Sequence, residues 1–302
     1  MKIPFLEALA SRCLVGDGAT GTQLQLLGLP PGMGGEAWNL DRPDAVRTLH
    51  ERYRSAGADL LTTNSFGGSR LTLAAHGWAA RTVEINRAAA QIAAAVAGQT
   101  AWVLGDIGPC GGMLEPYGEL EPETAHAVFR EQAAALLEGG ADAILVETMS
   151  DPQEATLAAQ AAREVGAQAV IVTFAFQKSA QGFRTMMGAS AAEAVVAARR
   201  GGAHVVGANC GTELSLDDYA ALTRELVAAA AGCPVIVQPN AGTPQWENGR
   251  AVYRMAGADF GAAAPRLVAA GARIVGGCCG SAPEHIAAVA AAIGRKTPDF
   301  ST

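Results

Sequence analysis

The sequence is poor in cysteine, in charged residues and in aromatic residues. Its 302 residues include six cysteines, 17% charged residues and 5% aromatic residues. Six cysteines are too few for a disulfide scaffold in a chain of this length. No apolar run reaches the roughly 18 residues of a membrane span, and the N-terminal stretch MKIPFLEALASRCLVGDG lacks a signal-peptide core. We therefore expect a cytoplasmic protein with reduced cysteines and no membrane partner.

Positive charge is also scarce. Lysine and arginine total 22 against 29 aspartate and glutamate residues, which gives a formal net charge of −7. A chain with this balance repels nucleic acids and anionic membranes, so we expect no nucleic-acid partner. Apolar residues, by contrast, make up 50% of the chain, which is enough for a large core.

Eight short apolar runs are spaced along the chain and are typical of buried β-strands. They are continuous rather than alternating, which favours parallel strands covered on both faces, and Ala-rich helical segments separate them. The runs are CLVG (13–16), DLLTT (59–63), WVLGD (102–106), AILVE (143–147), VIVTF (170–174), HVVGA (204–208), PVIVQ (234–238) and RIVGG (273–277). Eight strand–helix units without a linker predict an α/β fold, a single (β/α)8 TIM barrel, as one domain over residues 1–302.

Polar residues accumulate at the carboxyl ends of these predicted strands. In a barrel, such ends converge on one face, so residues distant in sequence come to line one active-site cavity. The positions concerned are Asp17, residues 62–65, Asp106, Glu147, residues 209–210, residues 238–240 and residues 278–279.

Three cysteines stand at two of these strand ends, namely Cys210, Cys278 and Cys279. Thiolates favour Zn²⁺, and three protein ligands leave one position open, as in a catalytic zinc site. A substrate thiol in that position would lose its proton and become the nucleophile, with no side chain needed as a catalytic base. Inert buried cysteines, or a vicinal disulfide at residues 278–279, are the alternatives that the residues alone leave open.

Other catalytic signatures are weak. Gly16 to Gly21 matches the dinucleotide pattern G-x-G-x-x-G, but glycine and proline follow too soon for the usual long helix. A tight loop that brings Asp17 and backbone amides to a polar ligand is the interpretation we favour. None of the five histidines stands at the carboxyl end of a predicted strand, and no G-x-S-x-G motif occurs, so hydrolase triads are not supported.

Seven motifs, in order over almost the whole chain, resemble those of the homocysteine S-methyltransferases. They are DGATGTQL (17–24), TTNSFGGSR (62–70), GDIGPCG (105–111), LVETMSD (145–151), GANCG (207–211), QPNAG (238–242) and GGCCG (276–280). The chain most resembles the homocysteine-binding barrel of cobalamin-dependent methionine synthase and, more distantly, betaine-homocysteine methyltransferase. This resemblance implies a zinc-dependent enzyme that transfers a methyl group to homocysteine and forms methionine.

The resemblance also implies roles for individual residues. Glu147 and the loop of Asp17 and Gly18 would receive the amino acid end of homocysteine, because a carboxylate suits an ammonium group and loop amides suit a carboxylate. Asn240 would be a resting fourth zinc ligand or a lining group, and Asn64 and Asp106 would lie at the cavity. The implied zinc ligands are Cys210, Cys278 and Cys279.

Three methyl donors fit the family: a methyl-corrinoid protein, S-methylmethionine or a related sulfonium, and betaine. We place the corrinoid protein first, because Gly67 and Gly68 follow TNSF where betaine enzymes of the family have a cation-binding tyrosine, although Trp38 could supply an aromatic face. We expect the chain to work alone or with separate proteins, since its 302 residues leave no room for folate, cobalamin and activation modules. A homocysteine-binding module without turnover, or a zinc hydrolase on a barrel, are the alternatives.

Overall fold

Eight parallel strands form one sheet that curls into a barrel. The computed structural model describes residues 2–30, 32–211, 213–247 and 250–294, so the predicted domain bounds, residues 1 and 302, lie outside the described residues. The strands of this sheet are β1 Leu14–Val15, β2 Leu60–Thr62, β3 Trp102–Ile107, β4 Ala143–Met149, β5 Val170–Phe174, β8 Val205–Asn209, β9 Val235–Gln238 and β12 Ala272–Val275, and the strands numbered between them form two hairpins outside it. Their order in the sheet is β1-β12-β9-β8-β5-β4-β3-β2. The predicted TIM barrel is confirmed, and each strand overlaps one predicted apolar run.

Helices surround this barrel, and several begin at the proline residues that the sequence marks as helix starts. Pro43, Pro122, Pro152 and Pro283 each open a helix, where the missing N–H costs no hydrogen bond. The helices are α1 Phe5–Ser11, α2 Gly21–Leu26, α3 Trp38–Asp41, α4 Pro43–Ser55, α5 Arg70–Ala74, α6 Thr82–Ala97, α7 Pro122–Glu138, α8 Pro152–Glu164, α9 Ala191–Arg200, α10 Leu216–Ala230, α11 Gly257–Ala269 and α12 Pro283–Ala292. Of these described helices, none combines the length and the apolar character that crossing a bilayer requires.

Two antiparallel hairpins lie outside the barrel sheet and were not predicted. One joins β6 (Phe176–Ser179) to β7 (Gly182–Thr185), and the other joins β10 (Gln245–Glu247) to β11 (Arg250–Val252). Each follows the carboxyl end of a barrel strand, β5 and β9 respectively. Both hairpins therefore belong to the face of the barrel where the strands end, which we call the mouth.

The interior of the barrel is filled by side chains, and α1 closes its other end. Inward-facing residues of the strands form one buried cluster with Phe5, Ala8 and Leu9 of α1. A second and larger cluster lies between the strands and the outer helices. The barrel is thus solid below its mouth, as in other barrels of this class.

The junction of β1 and β2 is held by two buried carboxylates, and we call it the β1–β2 seam. The backbone N–H of Asp59 donates to the carbonyl of Val15 at 2.8 Å, and the N–H of Val15 donates to the Asp59 carboxylate at 3.0 Å. The Asp17 carboxylate accepts from the N–H and the hydroxyl of Thr62, each at 2.7 Å. Side-chain oxygens therefore take the place of backbone carbonyls where the barrel closes.

His50 of α4 is buried, and neither of its ring nitrogens has a hydrogen-bond partner among the described residues. Burial lowers the pKa of His50 to about 4 from the ordinary histidine value of 6.5. Between about pH 4 and pH 6.5, His50 binds a proton in the unfolded chain but not in the folded protein. The free energy of unfolding must therefore fall as the pH is lowered from about 6.5 towards 4.

Replacing His50 with Leu is expected to weaken this acid sensitivity, because leucine fills a similar volume and does not titrate. Between pH 7 and pH 4 the wild-type protein should lose about 3 kcal/mol more stability than the variant, at 1.36 kcal/mol per pKa unit. Urea unfolding of both proteins across this range measures the difference. Parallel profiles for the two proteins would show that His50 does not contribute to acid unfolding.

Candidate functional site

A cavity of about 400 Å³ opens at the mouth of the barrel. Its walls come from the carboxyl ends of β2, β3, β4 and β9 and from the loops after β1, β2, β8 and β12. Seven of the nine residues proposed from the sequence line it: Gly18, Asn64, Asp106, Glu147, Cys210, Cys278 and Cys279. The fold therefore brings together strand ends that are separated by up to 260 positions in the chain.

The three cysteines form a compact group, which we call the thiol cluster. Cys210 follows β8, and Cys278 and Cys279 follow β12. The sulfur of Cys279 lies 3.6 Å from that of Cys210 and 4.0 Å from that of Cys278, and all three sulfurs lie within 4.8 Å of one another. Tetrahedral bonds of about 2.3 Å to one zinc ion place two sulfurs about 3.8 Å apart. The donor atoms and their spacing therefore fit a single bound zinc ion.

Backbone hydrogen bonds hold the two adjacent cysteines in place. The N–H of Cys278 donates to the Pro239 carbonyl at 2.8 Å, and the carbonyl of Cys279 accepts from the N–H of Ala241 at 2.9 Å. Hydrogen bonds from the thiols of Cys210 and Cys278 lower the pKa of Cys279, whereas hydrogen bonding to its neighbours and burial raise the pKa of Cys278. The sulfur of Cys279 is thus the hydrogen-bond acceptor within the thiol cluster.

Carboxylates are the charged side chains of the remaining described lining. Glu36, Asp106 and Glu147 line the cavity, and no lysine, arginine or histidine does so within the described part of the chain. Burial and the charges of Cys279 and Asp17 raise the pKa of Glu147 to about 8. Burial, followed by the charge of Glu147, raises the pKa of Asp106 well above its ordinary value. A positively charged ligand would relieve this repulsion, so the cavity is complementary to cations.

Comparison with known proteins identifies the family. The family model for homocysteine S-methyltransferase matches residues 14–293. The chain belongs to this family. Methionine synthases of Mycobacterium leprae and Mycobacterium tuberculosis are each 35% identical to it, over 96% and 98% of this chain. The chain spans about a quarter of the length of these curated relatives, 25% and 26% respectively.

Solved structures agree with this family at the level of the fold. The metallated form of the homocysteine methyltransferase MmuM from Escherichia coli superposes with a TM-score of 0.77 at 24% identity, covering 95% of this chain and 99% of MmuM. Its oxidized form gives a TM-score of 0.76 at 25% identity, covering 95% and 98%. The homocysteine S-methyltransferase fold thus extends over nearly the whole chain.

Two of the residues proposed from the sequence, Asp17 and Asn240, do not line the cavity in the described part of the chain. Asp17 is 1% exposed, and both of its carboxylate oxygens accept hydrogen bonds from Thr62. Burial raises the pKa of Asp17 to about 7. Asn240 donates to the Gly211 carbonyl at 3.3 Å, and its Oδ1 is buried with no hydrogen-bond partner among the described residues. Asn240 therefore stands next to Cys210 with a spare acceptor, whereas Asp17 supports the loop whose next residue, Gly18, lines the cavity.

Asn64 and Asp106 both reach the cavity but differ in their hydrogen bonding. The Asn64 amide donates to the Gly35 carbonyl at 2.8 Å and to Asn39 at 3.0 Å, so it joins two loops of the wall. Asp106 is buried, and its Oδ1 has no hydrogen-bond partner within the described residues. Asp106 is therefore a lining carboxylate with one unpaired oxygen.

Sequence reasoning missed Glu36, Phe66 and Thr148, which also line the cavity. Glu36 accepts a hydrogen bond from the N–H of Gly67 at 2.7 Å, although it lies in a loop far from any strand end. Its only signal in the sequence is a single acidic residue in a Gly-rich and Pro-rich stretch. Phe66 lies within the motif TTNSFGGSR, where an aromatic residue among polar neighbours was the available signal.

Substitution of Asp17 should separate its hydrogen bonds from its charge. Asp17→Asn can still accept from the N–H of Thr62 and can donate to the Thr62 hydroxyl, so its unfolding free energy should stay within about 1 kcal/mol of wild type. Asp17→Ala leaves the buried N–H of Thr62 unpaired and should lose about 3 kcal/mol. Chemical denaturation at pH 7 measures both values. Equal losses in the two variants would contradict the hydrogen-bonding role.

Proposed function

We propose that this protein transfers a methyl group to the sulfur of homocysteine and forms methionine, with Zn²⁺ held by Cys210, Cys278 and Cys279. The observation that carries the proposal is the convergence of three thiols within 4.8 Å at a cavity lined by carboxylates. Membership of the homocysteine S-methyltransferase family supports the acceptor, and the mycobacterial relatives named methionine synthase support the product.

Zinc would complete the chemistry that the side chains lack. When bound, it would lower the pKa of the homocysteine thiol and supply a thiolate at neutral pH without a general base. Asn240 is the proposed additional ligand, since its buried Oδ1 has no partner among the described residues. The protein's own task is then to hold the thiolate and the methyl group in line, about 3–3.5 Å apart.

The amino acid end of homocysteine would be recognised by groups of opposite character. Glu147 would accept hydrogen bonds from the ammonium group, and this contact would lower the raised pKa of Glu147. Asp106 has a free oxygen for the same charge. Gly18 and the loop residues beside it would receive the carboxylate through backbone N–H groups. Asp17 would keep that loop in place through Thr62, and Asn64 would hold the adjoining loop of Gly35.

The methyl donor that we place first is a methyl-corrinoid protein, in keeping with the methionine synthase relatives. A second candidate, a small cationic donor such as S-methylmethionine or betaine, is favoured by the three carboxylates in the cavity and by its lack of basic lining residues within the described chain. In each case the new S–CH₃ bond forms as the bond between the methyl group and its donor breaks, and no proton transfer accompanies the step.

Methionine formation with three donors tests the proposal. Zinc-loaded protein is supplied with homocysteine and, in parallel, with methylcobalamin, S-methylmethionine and betaine. Turnover with methylcobalamin alone supports the corrinoid donor, and turnover with either cation supports the second candidate. If none of the three yields methionine while zinc and homocysteine both bind, a methylated corrinoid protein is supplied next, and its failure as well makes a homocysteine-binding module the better description. Hydrolytic activity without thiol would favour the hydrolase.

Replacing Cys278 with Ser is expected to remove zinc and methyl transfer together, because a hydroxyl is a poor ligand for a soft metal site. Zinc content, measured by plasma mass spectrometry, should fall from about one ion per chain to well below one. Cys233→Ser is the matched control, since that thiol donates to the His204 carbonyl at 3.1 Å, away from the cavity. Full zinc content in Cys278→Ser would contradict the ligand assignment.

Replacing Glu147 with Gln is expected to weaken homocysteine binding chiefly. Loss of a charge-assisted hydrogen bond, about 1.5–3 kcal/mol, corresponds to a KM raised roughly tenfold to 100-fold with little change in kcat. The thiol 4-mercaptobutanoate lacks the amino group, so its affinity should be the same for wild type and variant. An equal loss for both thiols would argue against an ammonium contact at Glu147.

A further inference from the structure

A buried amide joins the thiol cluster to the strand that carries Glu147. Asn209 is the last residue of β8 and is fully buried. Its Nδ2 donates to the hydroxyl of Thr148 at 2.7 Å and to the sulfur of Cys278 at 3.6 Å. Its Oδ1 accepts from the backbone N–H of Thr148 at 3.1 Å and from the hydroxyl of Thr173 at 2.8 Å. The amide therefore uses two donors and two acceptor positions at once, which is its full capacity.

Thr148 has a backbone conformation that its residue type disfavours. Its φ is +60°, in the left-handed region, where a β-branched residue is a genuine outlier. Such a conformation costs on the order of 1–3 kcal/mol and persists only where its surroundings enforce it. Asn209 binds Thr148 through both the backbone N–H and the hydroxyl. The Thr148 N–H also lies 3.3 Å from the hydroxyl of Thr173, which itself donates to Asn209. Asn209 therefore makes two of the three side-chain hydrogen bonds to the strained residue and orients the partner in the third.

The strain at Thr148 affects the direction of its neighbour, Glu147. The pairing of β4 with β5 shifts register between Val146 and Met149, which is the segment that contains both residues. Irregularities of this kind redirect side chains and are frequent beside active sites. Glu147 and Thr148 consequently both line the cavity, although successive residues of a regular strand face opposite sides.

Cys278 receives the other amide hydrogen of Asn209. The distance of 3.6 Å from Nδ2 of Asn209 to Sγ of Cys278 is normal for a hydrogen bond to sulfur. A thiolate accepts such a bond more strongly than a thiol does. Groups that hydrogen-bond to a metal ligand orient it and tune its donor strength, and their loss typically lowers metal affinity 10-fold to 100-fold.

We propose that Asn209 is a positioning residue that couples the two halves of the site. It holds Thr148 in the left-handed conformation that directs Glu147 into the cavity, and it orients Cys278 through an N–H to sulfur hydrogen bond. The inference rests on the proposed function, because it assigns Glu147 and Cys278 their roles in binding homocysteine and zinc. It predicts that the two effects of Asn209 can be separated by changing Thr148.

The test uses cobalt(II) in place of zinc, so that both effects are read without turnover. Asn209→Ala should weaken cobalt binding about 10-fold in chelator competition and should move the sulfur-to-cobalt charge-transfer band to longer wavelength. It should also weaken homocysteine binding, followed by the change in that spectrum, by about 10-fold. Asn209→Leu, which restores the side-chain volume, replaces this variant if it does not fold.

A second substitution separates the two effects. Glycine adopts the left-handed conformation without strain, so adding Thr148→Gly to Asn209→Ala should restore homocysteine affinity to within about threefold of wild type. The cobalt band and the chelator competition should remain shifted in the double variant. Asn86→Ala is the matched control, because it removes another buried amide, bonded to Gly68 and Thr82, outside the site.

Distinct results would overturn the inference. If Asn209→Ala folds and leaves both the cobalt band and homocysteine affinity unchanged, Asn209 has no positioning role. If Asn86→Ala produces the same shifts, the effects of Asn209 are general losses of stability. If the double variant fails to regain homocysteine affinity, the role assigned through Thr148 is wrong. A wild-type protein that binds cobalt but not homocysteine would overturn the proposed function and the Glu147 half, while the cobalt band still decides the Cys278 half.

Discussion

The convergence of parallel strand ends at one face is the constraint on which the rest of this structure depends. Cys210 follows β8, and the pair Cys278 and Cys279 follows β12, and these two strands are separated in the barrel by β9. The common direction of these parallel strands brings the three thiols within 4.8 Å of one another. The same alignment places Glu147 and Asp106 on the same cavity from the other side of the barrel.

The electrostatics of the cavity follow from this convergence. Three carboxylates and three thiols share a volume of about 400 Å³, and the described lining contains no basic residue. Burial and the repulsion between these groups raise the pKa values of Glu147 and Asp106 well above the ordinary range of carboxyl groups. Binding a cation at the thiols and another at the carboxylates would reverse this unfavourable state. The buried acidic groups of the site therefore destabilise the folded protein electrostatically, and the binding of cationic ligands would remove this destabilisation.

Much of the fold could be predicted from the sequence, because strands buried on both faces leave continuous apolar runs. The two hairpins could not, since residues 177–179 of β6 are exposed and polar and resemble a loop. Within the site, cysteines at strand ends are chemically distinctive and were readily placed. Glu36 and Thr148 were not, because their roles depend on loop packing and on a backbone angle, neither of which residue type reveals. Asp17 stood out as a polar residue after a strand, but its burial behind the cavity lining required coordinates.

The β1–β2 seam has a consequence for how this barrel tolerates change over evolution. A backbone ladder is indifferent to side-chain identity, so most positions in the other strands can vary in sequence while the pairing persists. At the seam, by contrast, the carboxylates of Asp59 and Asp17 supply the acceptors that backbone carbonyls supply elsewhere. One backbone pair, from the Asp59 N–H to the Val15 carbonyl, persists whatever the side chains are. A substitution of Asp59 or Asp17, by contrast, removes hydrogen bonds across the closure that a substitution within a backbone ladder would leave in place.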